Sequence, residues 1–357
     1  MRWQGQELAA PDAGTLPGLG SLESLARLSG LVRTVRSPQF EGVTFHEVLC
    51  KSALNRVPTP GALPFEWTIN PYRGCSHACV YCFARPSHDY LGLGGGGAFD
   101  TEVIVKVNIA QRLREELARP TWTGTTVALG TNTDPYQRAE GRYALMPDIL
   151  RALADAGTGV SLLTKGTLMR RDLPLLASMS GDVPVSVAMS VAVMDDELQS
   201  TLEPGTPRAE ARLATVRAAR EAGLDVQVFL MPVLPYLTDS WEALDEAMRR
   251  IAAAGATSVA ASAVHLRPGV KEWFARWLHA HRPDLVSRYR ALYGADAYAP
   301  REYRRALQAR VASLRERHGL MPAATASGTG GPAVTASTEA PSTASAEAPE
   351  ALFASAW

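Results

Sequence analysis

The sequence predicts an α/β fold: about six βα units closing wholly or partly into a TIM-type barrel, then a helical extension and a disordered tail. Three observations carry that prediction. Between residues 60 and 265, six short β-branched or apolar runs recur: FEWTIN, TTVALGT, GVSLLTK, PVSVAMSV, DVQVFLMPV and TSVAASAV. No hairpin turn signal separates them, which is the pattern of a parallel sheet. Between them, ALMPDILRALADAG, PRAEARLATVRAAREAGL and SWEALDEAMRRIAAAG carry apolar residues at helical spacing, each with Gly at its end. After Leu320 the chain becomes an Ala/Ser/Thr/Pro/Gly tract with too few large apolar side chains to offset the entropy of ordering.

Taken in order, residues 1–43 are rich in Gly, Pro and Leu and are expected to form a loosely ordered arm, with LESLARLSGLVRTV as a short amphipathic helix. Residues 44–265 hold the barrel, 266–320 a helical basic cap, and 321–357 the tail. The 357 residues, 46% hydrophobic and 20% charged, exclude collagenous, disulfide-scaffold and wholly disordered classes. Lys and Arg (36) balance Asp and Glu (36), but the tail holds only acids, Glu339, Glu347 and Glu350, so the body is slightly basic. No run approaches the ~18 continuous apolar residues of a membrane helix, and the first residues do not read as a signal peptide. A cytoplasmic protein without membrane contact is expected.

Strand ends are where such barrels place their chemistry. Right after the first predicted strand, NPYRGCSHACVYCFAR spaces Cys75, Cys79 and Cys82 by three and two residues. Three thiolates on one short loop can hold three irons of a cubane cluster and leave the fourth open. A disulfide would strand an odd thiol, and a structural zinc site would need His77, His46 or His88 as its fourth ligand, without the usual second ligand pair. Cys50 stands apart and is read as a buried inert thiol. The GLGGGG run at 92–97 lacks the Lys-Ser/Thr of a phosphate loop and is read as a flexible loop near the cysteines.

From His265 to Leu320 there are twelve Lys/Arg against five Asp/Glu, interleaved with Trp273, Phe274, Trp277, Tyr289, Tyr293 and Tyr303. Two readings stay open: a basic aromatic face for phosphates and bases, or a cap whose aromatics are core and whose arginines are solvated.

The CxxxCxxC motif with Tyr81 before its last cysteine, on the loop after the first strand, resembles the radical S-adenosylmethionine (radical SAM) superfamily. NPYRGCSHACVYCFAR, GTNTDPYQRAE, LLTKGTLMRRDLPLL and DDELQSTLEPGTPRAEARL resemble its branch related to spore photoproduct lyase, also described as DNA-repair-photolyase-like. The resemblance covers about residues 44 to 300. It implies a [4Fe-4S] cluster on Cys75, Cys79 and Cys82 whose open iron chelates S-adenosylmethionine. The cluster's electron then cleaves a carbon–sulfur bond, and the resulting 5′-deoxyadenosyl radical abstracts hydrogen from a substrate. It also implies an external electron donor of flavodoxin or ferredoxin type.

By the same resemblance, Tyr81 lies beside the adenine; Thr131, Asn132 and Thr133 meet the methionyl amino group; Lys165 neutralises the cofactor carboxylate; and Ser190 meets the ribose. Asp134, Tyr136, Gln137, Glu140 and His265 become candidates to touch substrate. Glu203, Arg208 and Arg212 fall near the same face, with helix-surface ion pairing the preferred reading for Arg208. The lyase uses a cysteine near the end of its second strand as hydrogen donor, and this chain has Asn132 and Thr133 there, so thymine-dimer repair is not expected. Nucleic acid or a nucleotide is the leading substrate class. The alternatives are a small metabolite or peptide, or a non-catalytic iron–sulfur or zinc binding module.

Overall fold

A computed structural model describes residues 28–57 and 65–321, and the backbone of residues 6–7. Residues 322–357 of the expected tail (321–357), most of the arm and residues 22–27 of its expected helix lie outside the described residues. In chain order the strands are β1 (Gln6–Glu7), β2 (Leu31–Arg36), β3 (Thr44–Val48), β4 (Leu54–Arg56), β5 (Trp67–Ile69), β6 (Tyr72–Arg73), β7 (Glu102–Lys106), β8 (Val127–Leu129), β9 (Val160–Thr164), β10 (Val185–Ser190), β11 (Val226–Val233) and β12 (Ser258–Ala263).

The larger sheet runs β12-β11-β10-β9-β8-β5-β4. Its parallel strands β5, β8, β9, β10, β11 and β12 fall within the six runs read from the sequence, and β4 lies antiparallel on β5. Among the described residues no pairing joins β4 to β12, so the sheet stays open. It is nevertheless curved: one cavity of about 300 Å³ is lined by Thr68 (β5), Ala128 (β8), Ser161 (β9), Ala188 (β10) and Gln227 (β11). Such a sheet is a partial barrel.

The expected helices form at Met146–Asp155, Ala209–Glu221 and Trp241–Ala253. Their apolar stripes, including Ile149, Leu153, Leu213, Val216, Leu244 and Ile251, pack into the core that covers the sheet's outer face. Ser240 caps the third by accepting from the Ala243 N–H at 3.1 Å. Gly157, Gly223 and Gly255 follow the three helices at φ +59°, +83° and +82°, the left-handed turn that ends a helix most easily at glycine.

A second sheet, β1-β2-β3-β7-β6, was not read from the sequence. It corrects the arm. Residues 31–36 are a strand rather than part of a helix, because the β-branched run Val32, Thr34, Val35 finds a partner strand in β3.

The C-terminal extension is helical, at Val270–His281, Val286–Tyr293 and Arg301–His318. Phe274, Trp277, Tyr289 and Tyr293 are buried in a second core with Leu234, Val264 and Leu266. The Tyr289 and Tyr293 hydroxyls donate to Pro235 O and Val264 O at 2.7 and 2.8 Å. These four aromatics therefore stack no bases, while Arg288, Arg290, Arg301 and Arg305 stay exposed. The last helix covers the β12 edge, with Gln308 Nε2 donating to Ala261 O at 2.8 Å. No helix among the described residues is long and apolar enough to cross a membrane.

Candidate functional site

The cysteine loop leaves β6 through Gly74 at φ +81°, where an added Cβ would meet Phe99 O at 2.9 Å. Neighbouring elements pin its backbone. Cys75 N donates to Phe99 O at 2.9 Å, and Val80 N to Leu202 O at 2.9 Å. Thr133 Oγ1 and Gln137 Nε2 donate to Gly74 O at 2.7 and 3.0 Å, and Gln137 Oε1 accepts from Ser76 N at 2.9 Å. Arg85, which the sequence reading passed over, donates twice to Cys79 O and pairs with Asp100 at 2.9 Å. It also donates to Gly96 O at 3.0 Å, which ties the glycine run to the cysteine loop.

The loop forms one wall of a pocket of about 320 Å³. Cys75, Cys79 and Cys82 line it together with Tyr81, Thr131, Asn132, Thr133, Asp134, Lys165, Ser190 and His265. Strand-end placement thus brings together most of the residues singled out from the sequence. Phe229, Met231 and Ser262 are among the other residues that line it; they were missed because an apolar or small residue at a strand end carries no chemical signature.

Three candidates lie elsewhere. Tyr136, Gln137 and Glu140 do not line this pocket. The Asp134 carboxylate accepts from Tyr136 N at 2.9 Å, an Asx turn that sends the following residues between the two sheets. Buried there, Tyr136 donates to Asp172 at 3.0 Å. Glu140 accepts from the Tyr72 hydroxyl at 2.6 Å and pairs with Arg171 at 2.7 Å. Gln137 holds the cysteine loop instead. Arg208 forms an exposed ion pair with Asp196 at 2.9 Å, as its surface reading has it.

Charges at the rim are already engaged. Lys165 Nζ donates to Ser190 Oγ at 2.7 Å and to Glu203 at 3.0 Å; Glu203 also accepts from the Tyr81 hydroxyl and pairs with Arg212 at 2.5 Å. Burial alone would raise the Glu203 carboxyl, but the Arg212 and Lys165 charges outweigh it and hold it well below the carboxylate range. Burial likewise raises Asp134, and the His77 charge and hydrogen bonds from His77, Lys165 N and Thr164 bring it below its ordinary value. All three cysteine thiols are pushed up by burial. His265 stacks on Tyr298 with ring centroids 4.1 Å apart; burial and then the Arg267 charge lower it to about 4, so it is neutral at pH 7.

The Radical SAM superfamily model matches residues 69–268, from the end of β5 to just beyond β12. The chain belongs to the radical SAM superfamily. An uncharacterised protein of Mycobacterium tuberculosis is 58% identical over 324 residues, covering 90% of this chain and 93% of its own. A Methanocaldococcus jannaschii protein is 27% identical over 193 residues, covering 54% of this chain and 69% of its own. Among solved radical SAM structures, spore photoproduct lyase complexed with dinucleoside spore photoproduct aligns at a TM-score of 0.55 and 15% identity, over 78% of this chain and 80% of that one. A variant of that lyase with bound AdoMet aligns at 0.57 and 14%, with the same coverage. At such identities the likeness is one of fold alone, and the family assignment rests on the match over residues 69–268.

Proposed function

We propose that this chain cleaves S-adenosylmethionine reductively and abstracts a hydrogen atom from a substrate small enough to enter the barrel, a nucleotide included. The observation that carries the reading is the single pocket where Cys75, Cys79 and Cys82 meet the ends of strands β8, β9 and β10. When bound, a [4Fe-4S] cluster supplies the electron that splits a carbon–sulfur bond of the cofactor and so yields the 5′-deoxyadenosyl radical.

The donor set suits that group. Cysteine thiolates are the ordinary ligands of iron–sulfur clusters, and three cysteines line this pocket. Cys75, Cys79 and Cys82 sit on one loop and line one pocket, so a cluster held there would take a separate iron on each. Arg85 and Gln137 hold the loop in place. Thr131 and Asn132 offer polar groups at the end of β8, and Lys165 with Ser190 offers a cation and a hydroxyl on the adjoining strands. Tyr81 and Phe229, both buried, shield the pocket from water. An external donor of flavodoxin or ferredoxin type is part of this reading. The burial of Phe274, Trp277, Tyr289 and Tyr293 favours a small substrate over a stacked polynucleotide.

The test is anaerobic reconstitution with iron and sulfide, followed by S-adenosylmethionine, dithionite and mass-spectrometric quantitation of 5′-deoxyadenosine. Wild type is expected to make it and Cys79→Ala is not. An intact wild-type cluster that makes none, with or without added nucleotides, favours the non-catalytic binding module instead.

A further inference from the structure

The cysteine pocket continues into the barrel. Phe83, Gly130, Thr131, Asn132, Leu163 and Phe229 line both it and the second cavity of about 300 Å³. The first cavity takes residues from the ends of β9 and β10. The second takes Ser161, Ser186 and Gln227 from the starts of β9, β10 and β11, so it lies deeper along the barrel. Among the described residues its lining contains two cations, Arg73 and Lys106, and no Asp or Glu.

Both cations are delivered by the other sheet. β6 and β7 pair antiparallel with Arg73 opposite Ile104. Lys106, two residues further along β7, therefore shares the Arg73 face on the diagonal, within reach of long side chains. Arg73 is 3% and Lys106 2% exposed. The Lys106 ammonium makes no hydrogen bond or ion pair among the described residues. Burial lowers Lys106 to about 8; the Cys50 thiol and Glu116 oppose that shift, and the Arg73 charge adds to it. The Glu116 carboxylate is itself taken by the N–H groups of Ala53 and Leu54, at 3.0 and 2.8 Å. A buried ammonium without a hydrogen bond, in a cavity with no Asp or Glu among its described lining residues, is costly until an anion enters.

We propose that this deeper cavity is the substrate pocket and that Lys106 and Arg73 form its anion subsite, so the substrate is a small molecule carrying a carboxylate or phosphate. The inference rests on the function proposed above and narrows its substrate. The volume lies at the lower end of small-molecule sites, which admits one monomer and no polymer. Phe65, Phe83 and Phe229 provide apolar walls for a flat body. Anchored by its anion, that body extends past Leu163 and Phe229 toward the cysteine pocket.

Phenyl phosphate, benzoate and the neutral control benzamide are to be titrated calorimetrically into the full chain without S-adenosylmethionine. The anions are expected to bind at least about tenfold more tightly than benzamide, since a charge-assisted hydrogen bond is worth about tenfold to a hundredfold. Whichever anion binds more tightly distinguishes phosphate from carboxylate. Lys106→Met is expected to lose that factor for the anions and leave benzamide unchanged. Ala188→Leu, which narrows the cavity at a β10 position that lines it without altering either cation, is expected to weaken all three probes. The proposal is overturned if wild type binds neither anion, if benzamide binds equally well, or if folded Lys106→Met keeps wild-type anion affinity. Should Lys106→Met not fold, unchanged anion affinity in Ala188→Leu overturns it. No cofactor turns over in this titration, so its failure is separable from failure of the 5′-deoxyadenosine assay.

Discussion

Lys165 and Glu203 form an ion pair of 3.0 Å at the rim of the cysteine pocket. Through it, the end of β9, the hydroxyl of Tyr81 on the cysteine loop and the helix carrying Arg212 share one buried carboxylate. Glu203 and Arg212 are both fully buried, so the network has little solvent to fall back on.

Glu203→Ala is expected to cost about 3–5 kcal/mol, because it leaves Arg212 buried without its acid. Guanidinium unfolding of the full chain measures this. The sign with pH follows from the lowered carboxyl: its stabilisation is complete above the ordinary carboxylate range and fades only as pH falls toward the folded value. The gap between wild type and Glu203→Gln should therefore be flat from neutral pH to about pH 5 and close in stronger acid.

Gly205→Ala should damage the cysteine loop from outside it. An added Cβ would meet Ser76 O at 1.9 Å, and Gly205 N donates to His77 O at 3.1 Å, so relief requires the two backbones to part. A destabilisation of about 1–3 kcal/mol is expected. Iron bound per chain after reconstitution should fall with it, and wild-type iron content would contradict the prediction.

Cys75→Ala, Cys79→Ala and Cys82→Ala should each abolish the visible iron–sulfur absorbance, while Cys50→Ala retains it. Cys50 is packed in the main core, its thiol raised by burial, and its backbone is held by Asn108 at 2.8 Å, away from the pocket. Absorbance lost in the Cys50 variant would overturn this assignment.

Lys106 should make stability rise with alkaline pH. Its folded value of about 8 lies below the unfolded one of about 10.4, so the unfolded chain holds more protons between those limits. Stability from this group is least below about pH 8 and recovers as pH climbs through that window. Lys106→Met should remove this part of the slope in urea unfolding measured from pH 7 to 10; identical slopes would refute it.

Much was legible in the sequence because it is local. Cys75, Cys79 and Cys82 lie within eight residues, so spacing alone brings three thiols to one loop. The six parallel strands announced themselves as β-branched runs between glycine-terminated helices. The second sheet did not: β3 and β7 pair Thr44 with Glu102 across a long separation, and Leu31–Arg36 reads equally well as half a helix until β3 is beside it. Nor did the direction of the chain after β8. One Asx turn at Asp134 decided that Asp134 faces the pocket while Tyr136, Gln137 and Glu140 face the interior.

The sequence by itself determined the parallel strands and helices of the larger sheet, the cysteine spacing and the superfamily, since side-chain periodicity and short-range spacing follow from near-neighbour sterics. Only the tertiary structure decided which polar residues converge. It put Glu203 between Lys165 and Arg212, buried the cap's aromatics, and placed Arg73 and Lys106 in the same deep cavity. Those outcomes depend on strand pairing and packing between distant segments, where competing contacts of similar local character are resolved by burial.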